Sequence, residues 1–194
     1  MNRREVLKGL SLSLGYIVAT PTVLNLLQSC KTDVAIWTPV FLTKEEGVVI
    51  KNLIDLILPE TFATPGALEV NVPEFIDVFA AKASSEEDQK KFKEGLSAIL
   101  KALQQPTSKL KTEDYDALLA KYLKASKEER EILKASKEDS LVLKALEGLR
   151  SSSVWAYKTS QKIGEEVLAY DPIPGVQLGC ISLKETTGGK AWSL

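Results

Sequence analysis

From Thr43 to Ala169 the apolar residues recur three and four positions apart, and no window alternates apolar with polar residues long enough to make a strand. That spacing gathers apolar side chains on one face of each helix, so the chain must bury itself by packing helix on helix. Start and stop signals divide the run. Thr43-Lys44-Glu45-Glu46 is a capping box, after which Val48, Val49, Leu53, Ile54, Leu56 and Ile57 continue until Pro59 forbids further helix. Leu58 to Ala67 reads as a rigid loop, because Pro59 and Pro65 fix φ and Gly66 permits a turn. Pro73 suits the first turn of a second helix carrying Phe75, Ile76, Val78 and Phe79. Ser84-Ser85-Glu86-Glu87 opens a third, with Phe92, Leu96, Ile99, Leu100 and Leu103 inward, ending near Pro106. Thr112-Glu113-Asp114 opens a fourth with a stripe of Tyr115, Leu118, Leu119, Tyr122 and Leu123. Ser126-Lys127-Glu128-Glu129 and Ser136-Lys137-Glu138-Asp139 are similar starts ten residues apart, either a helix-turn-helix step or a short duplication. From Leu141 to Ala169 the apolar pattern is long, through Leu143, Leu146, Leu149, Val154, Trp155, Ile163, Val167 and Leu168. Ser151-Ser152-Ser153 and Gly164 predict a kink or break within it. The expected fold is all-α, a compact bundle of about five to seven helices over residues 43–169 with an extended Pro/Gly-rich tail over 170–194.

Composition narrows the chemistry. The 194 residues contain no histidine, which removes the usual proton shuttle, the Ser-His and Cys-His nucleophile pairs and the commonest transition-metal ligand. The two cysteines, Cys30 and Cys180, are too few for a zinc cage or an iron-sulfur site, and no Cys-x-x-Cys-His haem attachment exists. With 25 Lys plus Arg against 26 Asp plus Glu, there is no basic field to hold nucleic acid. The mixed-sign runs from Glu86 to Lys93 and from Lys124 to Asp139 read as solvated helix faces. Glu113, Asp114 and Asp116, or Glu165 and Glu166, have no glycine-rich phosphate loop, histidine or metal spacing around them, so they do not make a catalytic site. No catalytic, cofactor-binding or metal-binding residue is expected in this chain.

Residues 1–29 have the layout of an export signal: a basic start containing Arg3, Arg4 and Lys8, then an apolar stretch from Leu10 to Leu27. The Arg3-Arg4 pair followed by Val6, Leu7 and Lys8 looks like a twin-arginine signal, which serves proteins exported already folded. Pro21 and the polar residues around it disfavour the alternative, a retained membrane helix. Leu27-Gln28-Ser29-Cys30 resembles a lipobox, with Cys30 acylated and residues 30–42 beginning the mature chain as a tether. The other reading pairs Cys30 with Cys180 in a disulfide. Lys31 is not the aspartate that resembles an inner-membrane retention signal, so the expected location is the periplasm, anchored to the outer membrane in preference to the inner. Losing the signal's net +2 would take residues 30–194 from the whole chain's -1 to -3.

The tail carries a further pattern. Tyr170-Asp171-Pro172-Ile173-Pro174-Gly175-Val176-Gln177-Leu178-Gly179-Cys180 has two prolines and two glycines in eleven residues. Together with the Pro59-Glu60-Thr61 and Thr64-Pro65-Gly66-Ala67 steps and the Val72-Pro73-Glu74-Phe75-Ile76-Asp77 helix start, it resembles the gluconate 2-dehydrogenase subunit 3 family. The chain departs from the usual pattern at Phe62-Ala63, where an acidic residue often precedes the Thr-Pro-Gly step. The resemblance implies a small subunit without its own cofactor, partnered by a large FAD-dependent dehydrogenase similar to the glucose-methanol-choline oxidoreductases and by a c-type cytochrome carrying haem. It implies that the subunit escorts the catalytic chain through export, stabilises it and holds it at the membrane. The resemblance places Cys180 in contact with the flavoprotein, and the partner interface is expected at Pro65, Gly66, Tyr170, Asp171, Pro172, Pro174, Gly175, Gly179 and Cys180. Cys180 is then either an intersubunit disulfide or a buried small hydrophobe. The alternatives from other classes are a stand-alone envelope lipoprotein with a structural or binding role, and an enzyme in its own right.

Overall fold

The computed structural model describes residues 37–171, 173, 175 and 179–193. The export signal, Arg3, Arg4, Cys30, Pro172 and Pro174 lie outside the described residues. The described chain is all-α, as the spacing predicts, in the order α1 Lys44–Ile57, α2 Val72–Lys82, α3 Glu86–Leu103, a 3-10 turn Thr107–Lys109, α4 Thr112–Leu123, α5 Lys127–Ala135, α6 Lys137–Thr159, a π turn Ile163–Val167 and a short α7 Leu183–Thr187.

Local chemistry sets these limits. Thr43 Oγ1 accepts from the Glu46 amide at 3.2 Å while Glu46 accepts from the Thr43 amide at 2.8 Å, so the capping box at α1 is closed in both directions. Ser126 closes a second such box with Glu129, and Ser85 and Ser136 cap α3 and α6 by the hydroxyl alone, each accepting from an amide three residues on. The two similar starts are therefore a helix-turn-helix step, with Ser136 ending α5 and beginning α6.

Helix α6 is the axis of the bundle and packs against α1, α2, α3, α4 and α5. Its Leu143, Leu146 and Leu149 meet Val49, Ile50, Leu53 and Ile54 of α1, Ile99 of α3 and Leu119 of α4 in one buried cluster. Helices α3 and α6 approach so closely that a Cβ added at Gly95 would lie 2.8 Å from Ala145 Cβ.

Two expectations change. The serine triplet does not break α6, which runs unbroken to Thr159. The Ser153 hydroxyl donates to the Leu149 carbonyl at 2.7 Å, so this fully buried member of the triplet is satisfied without opening the helix. The break comes at Ser160, just before the π turn Ile163–Val167 that contains Gly164, so the part of the expectation that rested on Gly164 holds. The tail, expected to stay extended to residue 194, forms α7, because Ser182 caps Leu183–Thr187 and Gly188 takes the left-handed exit at φ 66°. Beyond it Trp192 makes a parallel bridge with Ala169, which returns the end of the chain to the π turn.

Candidate partner-binding surface

The apolar stripe of α2 contains Val72, Pro73, Ile76 and Ala80, and an acid, Asp77, which is fully buried. Its Oδ2 accepts from the Val40 amide at 2.7 Å and the Trp37 indole at 3.3 Å, and its Oδ1 accepts from the Phe41 and Leu42 amides at 3.0 and 2.8 Å. Three successive backbone amides bend around one carboxylate, so both the buried acid and the entering chain are satisfied. Residues 37–42 are thereby fastened to the bundle immediately before α1. Phe41 lies parallel to Phe92 at 6.2 Å, and Lys93 sits over the Phe41 ring at 4.7 Å while pairing with Glu46 at 2.5 Å. Burial pushes the Glu46 carboxyl up, but the Lys93 ammonium and the Thr43 donors outweigh it and hold the group below the usual carboxylate range.

The opposite face of α2 is unlike this. Phe75 and Phe79 are 42% and 41% exposed, stacked at 5.8 Å, and both meet Trp155 of α6, itself 43% exposed, at 5.5 and 5.3 Å. The three rings form one wall of an open trough of about 700 Å³ between α2, α3 and α6. Phe92 and Leu96 line the α3 side, and Leu141, Ala145, Gly148 and Ser152 of α6 make its floor. Most polar groups at the rim are occupied: Asp88 accepts from Ser85, Lys91 pairs with Glu87 at 2.6 Å, and the Gln89 amide donates to the Ala80 carbonyl. Lys144 makes no ion pair among the described residues.

The residues expected at an interface fall into two groups. Gly66 is buried, its Cβ position only 2.8 Å from the Glu60 backbone nitrogen, and Pro65 is half-buried with its carbonyl accepting from the Tyr157 hydroxyl at 2.7 Å. This loop therefore faces α6, and Lys162 reaches Glu69 at its far end at 3.3 Å. Tyr170, Asp171, Gly175, Gly179 and Cys180 are exposed. No hydrogen bond among the described residues joins the two groups. Cys180 is not the buried small hydrophobe that one reading expected.

Sequence reasoning counted Phe75, Phe79 and Trp155 only as part of an apolar pattern. A finer reading separates them: residues 73, 76, 77 and 80 share one face of α2, whereas 75 and 79 stand one turn apart on another. Asp77 was similarly findable as an acid inside the apolar stripe.

A polar cluster lies on the other side of α6. The Tyr122 hydroxyl donates to Asp139 at 2.5 Å, and Lys121 donates to both at 3.1 Å. Burial, and then the Asp139 acceptor, push the Tyr122 phenol up; the Tyr122 hydrogen bond raises Lys121, and the Tyr122 and Lys121 donors pull Asp139 down. The cluster ties α4 to the start of α6. Among the described residues no group of three or more acidic or cysteine side chains is placed to hold a metal, and no helix is long and apolar enough to cross a membrane.

Fold and surface together define a small all-α domain with an open aromatic trough. The chain belongs to the gluconate 2-dehydrogenase subunit 3 family, whose pattern matches residues 44–175. That family is a subunit of a dehydrogenase complex. No curated protein matches the chain, and no solved structure does.

Proposed function

We propose that the chain is the non-catalytic small subunit of an exported, FAD-dependent sugar dehydrogenase complex, whose large subunit is of the glucose-methanol-choline type. The observation that carries this reading is family membership across residues 44–175. Its chemistry agrees, because a chain without histidine brings no general base of the usual kind and no haem ligand of the commonest kind. The flavin belongs to the large subunit and the haem to a c-type cytochrome partner.

In this reading Arg3 and Arg4 direct the folded pair of subunits through twin-arginine export, and acylated Cys30 holds the complex at the periplasmic face of the membrane, the outer one in preference. A link of only six residues, 31–36, then separates the anchor from Trp37, the first residue fastened by Asp77.

The test is capture of the tagged full-length chain from detergent-solubilised membranes. A co-purifying protein with a flavin spectrum and sugar-dependent dye reduction is the expected result. Capture of the chain alone supports a stand-alone envelope lipoprotein instead, and sugar oxidation by the chain alone supports an enzyme. The Arg3→Lys, Arg4→Lys variant should leave both subunits in the cytoplasm. Cys30→Ala should abolish palmitate labelling and release the complex from the membrane.

A further inference from the structure

We propose that the trough between α2, α3 and α6 receives a single apolar helix of the catalytic subunit, carrying a carboxylate opposite Lys144; this rests on the accessory-subunit reading above. The floor of the trough has a helix-packing repeat. Leu141, Ala145, Gly148, Ser152 and Trp155 follow one another at steps of four, three, four and three, the seam spacing by which one helix addresses another. From Leu141 to Trp155 the seam is about 21 Å long, enough for four turns of a partner helix. Ala145 is taken up by its contact with Gly95 of α3, whereas a Cβ at Gly148 would meet nothing, so the room for a partner's side chains lies at Gly148 and Ser152, between the larger Leu141 and Trp155.

The occupied rim argues against a small polar ligand. Such sites need several free polar groups converging on one point, whereas Asp88, Lys91 and Gln89 are already engaged within the chain. Lys144 stands out on the rim, and an unpaired ammonium beside an apolar seam selects a partner with an acid next to its apolar anchors. The rings of Phe75 and Phe79, stacked on each other, and Trp155, tilted against both, hold one another in place before binding, so little side-chain freedom remains to be lost.

Gly148 offers a clean test, since it lines the trough and a Cβ added there meets nothing within 4 Å. Gly148→Ala and Gly148→Leu both improve helix propensity, but only the leucine fills the space. The full-length variants are produced with the native complex and captured from solubilised membranes, and flavin per captured chain is measured beside circular dichroism. Gly148→Ala should retain the flavoprotein within about twofold and Gly148→Leu should lose it by about tenfold or more, the cost of blocking a buried anchor. Lys144→Glu should lower retention several-fold without altering the helical spectrum.

Retention of the flavoprotein by well-folded Gly148→Leu and by Lys144→Glu would overturn the trough as its seat while leaving the accessory reading intact. Absence of flavoprotein from the wild-type capture would overturn that reading and this proposal with it. A wild-type chain that light scattering shows to be a dimer, converted to a monomer by Gly148→Leu, would assign the trough to a second copy and overturn the proposal.

Discussion

Two faces of one short helix behave in opposite ways. On one side of α2, Asp77 is fully buried and accepts four N–H donors from residues 37–42. On the other, Phe75 and Phe79 stand about two-fifths exposed with only each other and Trp155 for company. A polar group has gone inside where its bonding is completed by the chain itself, and apolar rings remain outside where the chain does not cover them. The first arrangement serves folding. The second leaves apolar rings in water, and it is this face that the proposal above assigns to the partner.

The comparison is broken most severely at Asp77. Asp77→Ala would leave three adjacent backbone amides and an indole N–H without their acceptor, and a loss of roughly 3 kcal/mol or more is expected in urea unfolding. Asp77→Asn keeps one acceptor but sets an amide donor against the remaining N–H groups, so a loss of about 2 kcal/mol should follow. Tyr157→Phe removes the bond to the Pro65 carbonyl and should cost about 1 kcal/mol, with the 58–67 loop becoming easier to cleave. Phe79→Ala sharpens the contrast: truncating a ring already two-fifths exposed should cost about 1 kcal/mol in the isolated chain, yet sever the flavoprotein.

The smallest expected effect is in pH. Asp139 and Glu46 are held below their ordinary range, so the folded state binds their protons less readily than the unfolded chain does. Their contribution is therefore present above about pH 4 and is lost as pH falls through the folded values. Tyr122 and Lys121 are pushed up, so their contribution is present below about pH 10 and is lost as pH rises through the folded values. Thermal midpoints should be flat between these limits, and Asp139→Asn should blunt both limbs.

The helices were legible because their signals are local. Thr43 with Glu46, Ser126 with Glu129 and Ser136 with Asp139 lie three residues apart, and caps of that kind can be read from a few letters. The Asp77 clamp joins residues 35 to 40 positions apart, and no local pattern says which amides an acid will meet. The continuity of α6 was misread for a related reason: propensity penalises three serines, but burial of Ser153 against Leu149 in the packed bundle overrides it. The aromatic wall depends on where α6 crosses α2, which puts Trp155 beside Phe75 and Phe79 across more than seventy residues of sequence.

The central claim is that the exposed aromatic face of α2 and α6 is where the catalytic subunit sits, and hydroxyl-radical footprinting reads it directly. Labelling of Phe75, Phe79 and Trp155 is compared between the free full-length chain and the complex captured from membranes, with exposed Ile132 on α5 as the internal reference. The expected result is at least a several-fold fall in labelling at all three rings and unchanged labelling at Ile132. Equal labelling of the three rings in both states, in a complex that retains its flavin, would contradict the account.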